Sequence, residues 1–249
     1  VVDELPIDFT YDLCSRIKSE GKDMLIVGEV WEDASTKIAY GEWRPYFMGK
    51  QLDAVMNYPF KEAILAYTLD GDKNAFISHV SEILEHYPKQ SLDCLMNLID
   101  SHDTARAITT LSGVKPPRDK KDRANFRLSQ EQYDLAKRRL KFASTLQYVL
   151  PGVPCVFYGD EAGVQGWEDP LNRGTYPWGR EDSDLINHYR TLGKFRENYT
   201  GFLQGETHFV PNADNLVMQR VCNKGILEVV ANGLNICVSV NGETVLSIQ

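Results

Sequence analysis

The chain of 249 residues has no excess of positive charge: 27 Lys and Arg face 35 Asp and Glu, for a formal net charge of -8. With no basic stripe anywhere, a nucleic-acid partner is excluded from the reading and a neutral ligand fits better. No apolar run is long enough to span a bilayer, so a membrane partner is not expected. The opening Val-Val-Asp-Glu-Leu-Pro has neither the basic nor the apolar region of a secretory leader, and it lacks an initiator Met. Cysteine is sparse: Cys14, Cys94, Cys155, Cys222 and Cys237 are odd in number and widely spaced, with no zinc or redox spacing. They read as buried free thiols, which points to a reducing compartment and makes a cytoplasmic location the expectation. No internal repeat and no low-complexity tract is present.

What is there is an alternation of helical and strand patterns. A helix over Asp8 to Glu20 carries Phe9, Leu13 and Ile17 at helical spacing and stops at Gly21; an apolar strand, Met24 to Val30, follows. A loop over 31–50 leads to a second short strand, Leu52 to Met56. Helical patterns then run from Lys61 to about Leu69 and from Asn74 to Tyr87, the latter stopped by Pro88. A third apolar run, Cys94 to Ile99, precedes a basic, Pro-containing surface loop over 112–128. Ser129 and Gln132 form a capping box for a helix reaching Leu150, where Pro151-Gly152 ends it. Val153 to Tyr158 is a fourth strand, and a last helix spans about Asp184 to Asn198. Parallel strands joined by helices follow from this order. After Gly201 the pattern becomes short β-rich runs separated by Asn-Gly and Lys-Gly steps, a hairpin signature. The fold class expected is α/β over residues 1–200 with a small all-β antiparallel domain over 201–249.

Two of the apolar strands end in carboxylates. Glu29 leaves the first in Val27-Gly28-Glu29-Val30-Trp31, and Asp103 leaves the third in Asp100-Ser101-His102-Asp103-Thr104-Ala105-Arg106. Side chains from several strand exits of a parallel barrel converge at one mouth. Glycosidic cleavage needs an acid for the leaving oxygen and carboxylates facing an oxocarbenium-like state. A single Glu after a strand is more often a cap or a solvated loop residue; the pairing is what raises it above that. His79, His86, His188 and His208 read as surface or structural histidines, with no metal pair among them.

Taken together these segments resemble the α-amylase family of glycoside hydrolases. Val27–Trp31 is similar to the family block that holds the general acid/base, which maps to Glu29, with Trp31 beside it. Ser101-His102-Asp103 resembles the block of the transition-state-stabilising Asp, which maps to Asp103, with His102 as a substrate-binding neighbour; Ser101 stands where that block often has Asn. Gly152 to Glu161 looks like the eighth barrel strand, and Asp169-Pro170-Leu171-Asn172-Arg173 looks like a loop whose Asp169 and Arg173 hold the sugar ring. Asn57-Tyr58-Pro59-Phe60 and Arg106 lean towards the neopullulanase and cyclomaltodextrinase branch, with Asn57 and Arg106 as further substrate-binding candidates. The resemblance implies the C-terminal half of a (β/α)8 TIM barrel, its fifth to eighth strands, followed by a β-domain. It implies a retaining hydrolase of α-glucosidic bonds in starch-derived oligosaccharides, in which Glu29 has a raised pKa. No cofactor is expected; calcium in the parent enzyme is left open.

In the family the nucleophilic Asp closes the fourth strand and precedes a run like Val-Val-Asp-Glu, here residues 1–4. The nucleophile is therefore expected immediately before Val1, and this chain by itself is expected to be inactive. Asp3 and Glu4 continue the block and read as helix-cap charge. Pairing with the missing N-terminal half of the barrel, or self-association through open strand edges, is the expectation for protein partners. The rival reading is a non-catalytic member or fragment that binds sugars or a partner protein.

Overall fold

A computed structural model describes residues 1–249. Helix α1 (Ile7–Glu20) leads into strand β1 (Val27–Gly28), and a small hairpin, β2 (Ile38–Ala39) with β3 (Glu42–Trp43), fills the loop before β4 (Ala54–Val55). Helices α2 (Tyr58–Asp70), α3 (Lys73–His86) and α4 (Lys89–Cys94) then precede β5 (Met96–Asn97). Helices α5 (Ala107–Leu111), α6 (Lys120–Asn125) and α7 (Gln130–Val149) come before β6 (Val153–Pro154), and α8 (Ser183–Leu203) closes this part.

The four strands β1, β4, β5 and β6 lie side by side in chain order, all parallel. Val27 pairs with Ala54 and Gly28 with Val55; a bridge joins Met56 to Met96; Met96 pairs with Val153 and Asn97 with Pro154. Regular pairing is shorter than the apolar runs from which it was expected. In β6 the cause is visible in the sequence, since Pro154 has no N–H to donate. Just before β1 the pairing with β4 passes to a side chain: Asp53 donates its N–H to the Ile26 carbonyl at 2.9 Å, and its carboxylate accepts the Ile26 N–H at 2.7 Å. Residues on the outer strands stay exposed, with Leu25 at 55% and Val153 at 47%. Helix α1 buries Thr10 and Cys14, while Phe9 and Leu13, expected on its apolar face, are exposed. Periodicity identifies an apolar stripe but does not say what covers it.

Helix starts follow the capping chemistry. Asn57 caps α2 by accepting the Phe60 N–H, Asp72 caps α3, and the Ser129–Gln132 box opens α7 with both reciprocal bonds formed. The loop expected over 112–128 contains α6, capped by Asp119. From Phe142 to Val149 every residue of α7 is buried, because α2 and α5, α8, and the C-terminal sheet all pack around it.

That sheet has five antiparallel strands in chain order: β7 (Glu206–Phe209), β8 (Leu216–Cys222), β9 (Gly225–Asn232), β10 (Asn235–Val240) and β11 (Glu243–Ile248). Asn241 and Gly242 both take positive φ, 50° and 87°, as a two-residue hairpin turn requires. Helix α8 runs past Gly201 to Leu203, so the last helix enters the segment read as the start of the β-domain. One cluster of 42 buried residues joins the helices to the sheet. Within that junction Arg220 is fully buried and its guanidinium donates to the carbonyls of Val149 at 2.9 Å, Gly205 at 3.1 Å and Leu203. It thereby ties β8 to the C-terminal ends of α7 and α8, where carbonyls lack helical partners.

Candidate active site

Glu29 leaves β1 and the Ser101–Asp103 turn leaves β5, so the two carboxylates arrive at the same end of the parallel strands. One donor or acceptor atom each of Glu29, His102 and Asp103 lies within 4.8 Å of the others. His102 Nε2 is 3.3 Å from Asp103 Oδ2. Arg173 Nη2 donates to Asp103 Oδ1 at 3.2 Å, and the Arg173 Nε contacts the carboxylate of Asp169. Glu29, His102, Asp103, Asp169 and Arg173 are thus brought into one connected patch. Except for Glu29, the side chains are well exposed, open to a ligand.

Trp31 joins the patch from the other side. Its indole stacks on Tyr58, centroids 4.4 Å apart and planes 10° from parallel, and its Nε1 donates to Glu29 Oε1 at 3.3 Å. Tyr58 in turn shares a 3.0 Å hydrogen bond with Ser101 Oγ, which accepts the Asp103 N–H at 3.2 Å. Such a chain couples the acid block to the turn that carries Asp103. With 46% of its area exposed, Trp31 still offers an apolar face beside Glu29.

The Val1 nitrogen lies 2.8 Å from Glu29 Oε2, so the start of this segment runs directly beside the β1 exit. Trp31 and His102 favour the charged form of Glu29, and burial opposes them.

Two residues expected to touch substrate are placed elsewhere. Asn57 is fully buried; besides capping α2 it donates to Asn97 Oδ1 at 2.9 Å. Arg106 is fully buried as well. Its Nε donates to the Asn172 carbonyl at 2.7 Å, its Nη1 to the Tyr158 carbonyl, and its guanidinium lies over the rings of Phe157 at 4.1 Å and Tyr158 at 4.6 Å. Asn57 and the Nε and Nη1 of Arg106 find partners inside the protein, whereas Arg106 Nη2 has none. The sequence reading missed Asn172, whose amide donates to the carbonyls of His102 and Thr104, each at 2.7 Å, and so folds the turn around Asp103. It sits between Asp169 and Arg173, and its place in that block was the only available signal.

A second trio, Asp33, Glu82 and His86, also brings ligand-type atoms within 4.8 Å. Asp33 is already engaged by Ser35 and by His86 Nδ1.

The description of the α-amylase catalytic domain fits residues 5–221. An amylopullulanase of Thermoanaerobacter thermohydrosulfuricus is 34% identical over 208 residues, covering 79% of this chain and 13% of that protein. A cyclomaltodextrinase of a Bacillus species is 31% identical over 221 residues, covering 86% of this chain and 34% of that protein. A solved cyclomaltodextrinase structure superposes with a TM-score of 0.75 at 30% identity, covering 93% of this chain and 36% of that one. The chain therefore spans well under two thirds of each relative. With the family's catalytic-domain pattern running through both strand exits and the fold of a cyclomaltodextrinase reproduced around them, this chain belongs to the α-amylase family of glycoside hydrolases.

Proposed function

We propose that this chain supplies the acid/base and the transition-state-stabilising carboxylate of a retaining hydrolase acting on α-glucosidic bonds of starch-derived oligosaccharides. The observation that carries the reading is the convergence of Glu29, His102 and Asp103 within 4.8 Å at the exits of β1 and β5. Glu29 protonates the leaving oxygen and then activates water, Asp103 meets the developing positive charge, and His102, Arg173 and Asp169 hold ring hydroxyls while Trp31 stacks on a sugar face. In this reading β1, β4, β5 and β6 are the fifth to eighth strands of the barrel, and the exposed outer strands accept a complementary barrel half or a second copy.

The attacking carboxylate is a third group. Retention requires it about 5–5.5 Å from the acid across the scissile bond. The Val1 nitrogen lies 2.8 Å from Glu29, so the position before Val1, where the family pattern puts the nucleophile, abuts the acid.

The test is reducing-sugar release from maltodextrin and cyclodextrin by this chain against its Glu29→Gln variant, repeated with a complementary barrel half co-expressed. In the completed enzyme, Glu29→Gln costs far more on maltodextrin than on an activated aryl α-glucoside, whose leaving group needs little protonation. Equal losses on both substrates refute the assignment.

A further inference from the structure

Behind the turn that carries Asp103 lies a buried acid pair. Asp100 and Asp160 are 2% and 1% exposed, one at the exit of β5 and the other beyond β6, and the two carboxyls share a buried cluster with Arg106. Asp100 Oδ2 accepts the Ala107 N–H at 2.8 Å, whereas Asp100 Oδ1 and both oxygens of Asp160 have no donor. Arg106 reaches Asp160 Oδ1 only at 3.6 Å. Two ionised carboxylates cannot donate to one another, so oxygens buried in this way are satisfied only if one of the pair carries a hydrogen. With one proton between them and one charge on Arg106, the buried cluster is also electrically neutral.

We propose that Asp100 and Asp160 hold a single proton between them, and that this proton bridge fixes the exit of β5 to the 157–162 segment and so positions Asp103. Asp160 is a positioning residue, since it touches neither substrate nor the reacting atoms. The groups around the pair agree with this assignment. Burial favours the neutral form of both acids and pushes both upward; Asp160, the Ala107 N–H, Arg106 and Lys61 oppose that for Asp100, and Arg106 opposes it for Asp160. Glu161 adds repulsion at Asp160, and the Tyr189 hydroxyl and Cys155 thiol, both pushed up by burial, stay neutral beside the pair. The role assigned to Asp103 rests on the proposed function; the proton bridge itself does not.

The test uses the whole 249-residue chain without ligand. Infrared spectroscopy in heavy water at about pH 6 is expected to show the carbonyl band of a protonated carboxyl, and Asp160→Asn is expected to abolish it. The amide introduced by Asp160→Asn keeps both a neutral donor for Asp100 and an oxygen towards Arg106, so hydrogen exchange over 101–107 stays as slow as in the unaltered chain. Asp160→Ala removes the donor, and exchange there speeds up by about tenfold or more. Absence of the band, its survival in Asp160→Asn, or equally fast exchange in the two variants overturns the proposal. Failure to bind α-glucan with the band present sinks the proposed function and leaves the bridge standing.

Discussion

Lowering the pH should cost this protein stability through one histidine. His188 lies in α8 with 6% of its area exposed, and its Nε2 is 2.8 Å from Ser144 Oγ in α7. Ser144 also bonds the Leu140 carbonyl at 2.7 Å; with its single hydrogen directed there, its oxygen accepts from His188. Protonating the other ring nitrogen would place a charge in the core near Lys141, so burial first and Lys141 second hold His188 down to about 4 from 6.5. The folded value is depressed, so the contribution is present above 6.5, where both states are neutral. It is lost as pH falls towards 4, because the unfolded chain takes up a proton that the folded chain refuses. At about 1.4 kcal/mol per pH unit the loss is about 3 kcal/mol, or a shift of about 1 M in the urea midpoint.

Two further terms define how this is measured. Asp182 and Asp184 sit below the ordinary carboxylate values, so what they contribute disappears only in stronger acid. The Asp100–Asp160 pair works against His188 in the same window: it keeps a proton that the unfolded chain releases, which favours unfolding as pH rises. The unaltered chain should therefore show a shallow profile between pH 6.5 and 4, and the informative quantity is the difference from His188→Gln, whose amide can donate to Ser144 as the ring does. Urea unfolding followed by far-ultraviolet dichroism should give two curves that separate by about 3 kcal/mol across this window. Parallel curves would show that His188 is protonated without cost and that its burial has been misjudged.

Two other substitutions probe the junction and the sugar face. Arg220→Ala strips donors from the carbonyls of Val149, Leu203 and Gly205, and should lower the unfolding free energy by about 3 kcal/mol or more, with Arg220→Lys restoring only part because an ammonium lacks the planar fork; an unchanged urea midpoint would remove Arg220 as the tie between helices and sheet. Trp31→Ala should weaken maltotriose binding roughly three- to tenfold by calorimetry, the worth of one aromatic stacking contact, while hardly moving the urea midpoint; undiminished affinity would take Trp31 out of the sugar site.

The sequence was most informative where a side chain acts on its own neighbourhood. Ser129 and Gln132 announce the start of α7, Asn241-Gly242 announces its hairpin, and Glu29 and Asp103 announce themselves as the ends of apolar runs that become strands of one parallel array. Each depends on spacing within a few residues, and local chemistry decides it. Arg106 and Asn57 show the opposite case. A polar side chain beside a catalytic block reads as a ligand contact, and only the fold reveals that Arg106 Nε and Nη1 donate to the carbonyls of Asn172 and Tyr158, 66 and 52 residues away. Long-range partners also explain why the strands are short. An apolar run is regular only where a neighbouring backbone answers it, so β5, flanked on both sides, marks the middle of the sheet, and β1 and β6 mark its open edges. Glu29 leaves one of those edges, and Asp103 follows the flanked strand. The turn around Asp103 is therefore held within this chain by Asn172 and Ser101.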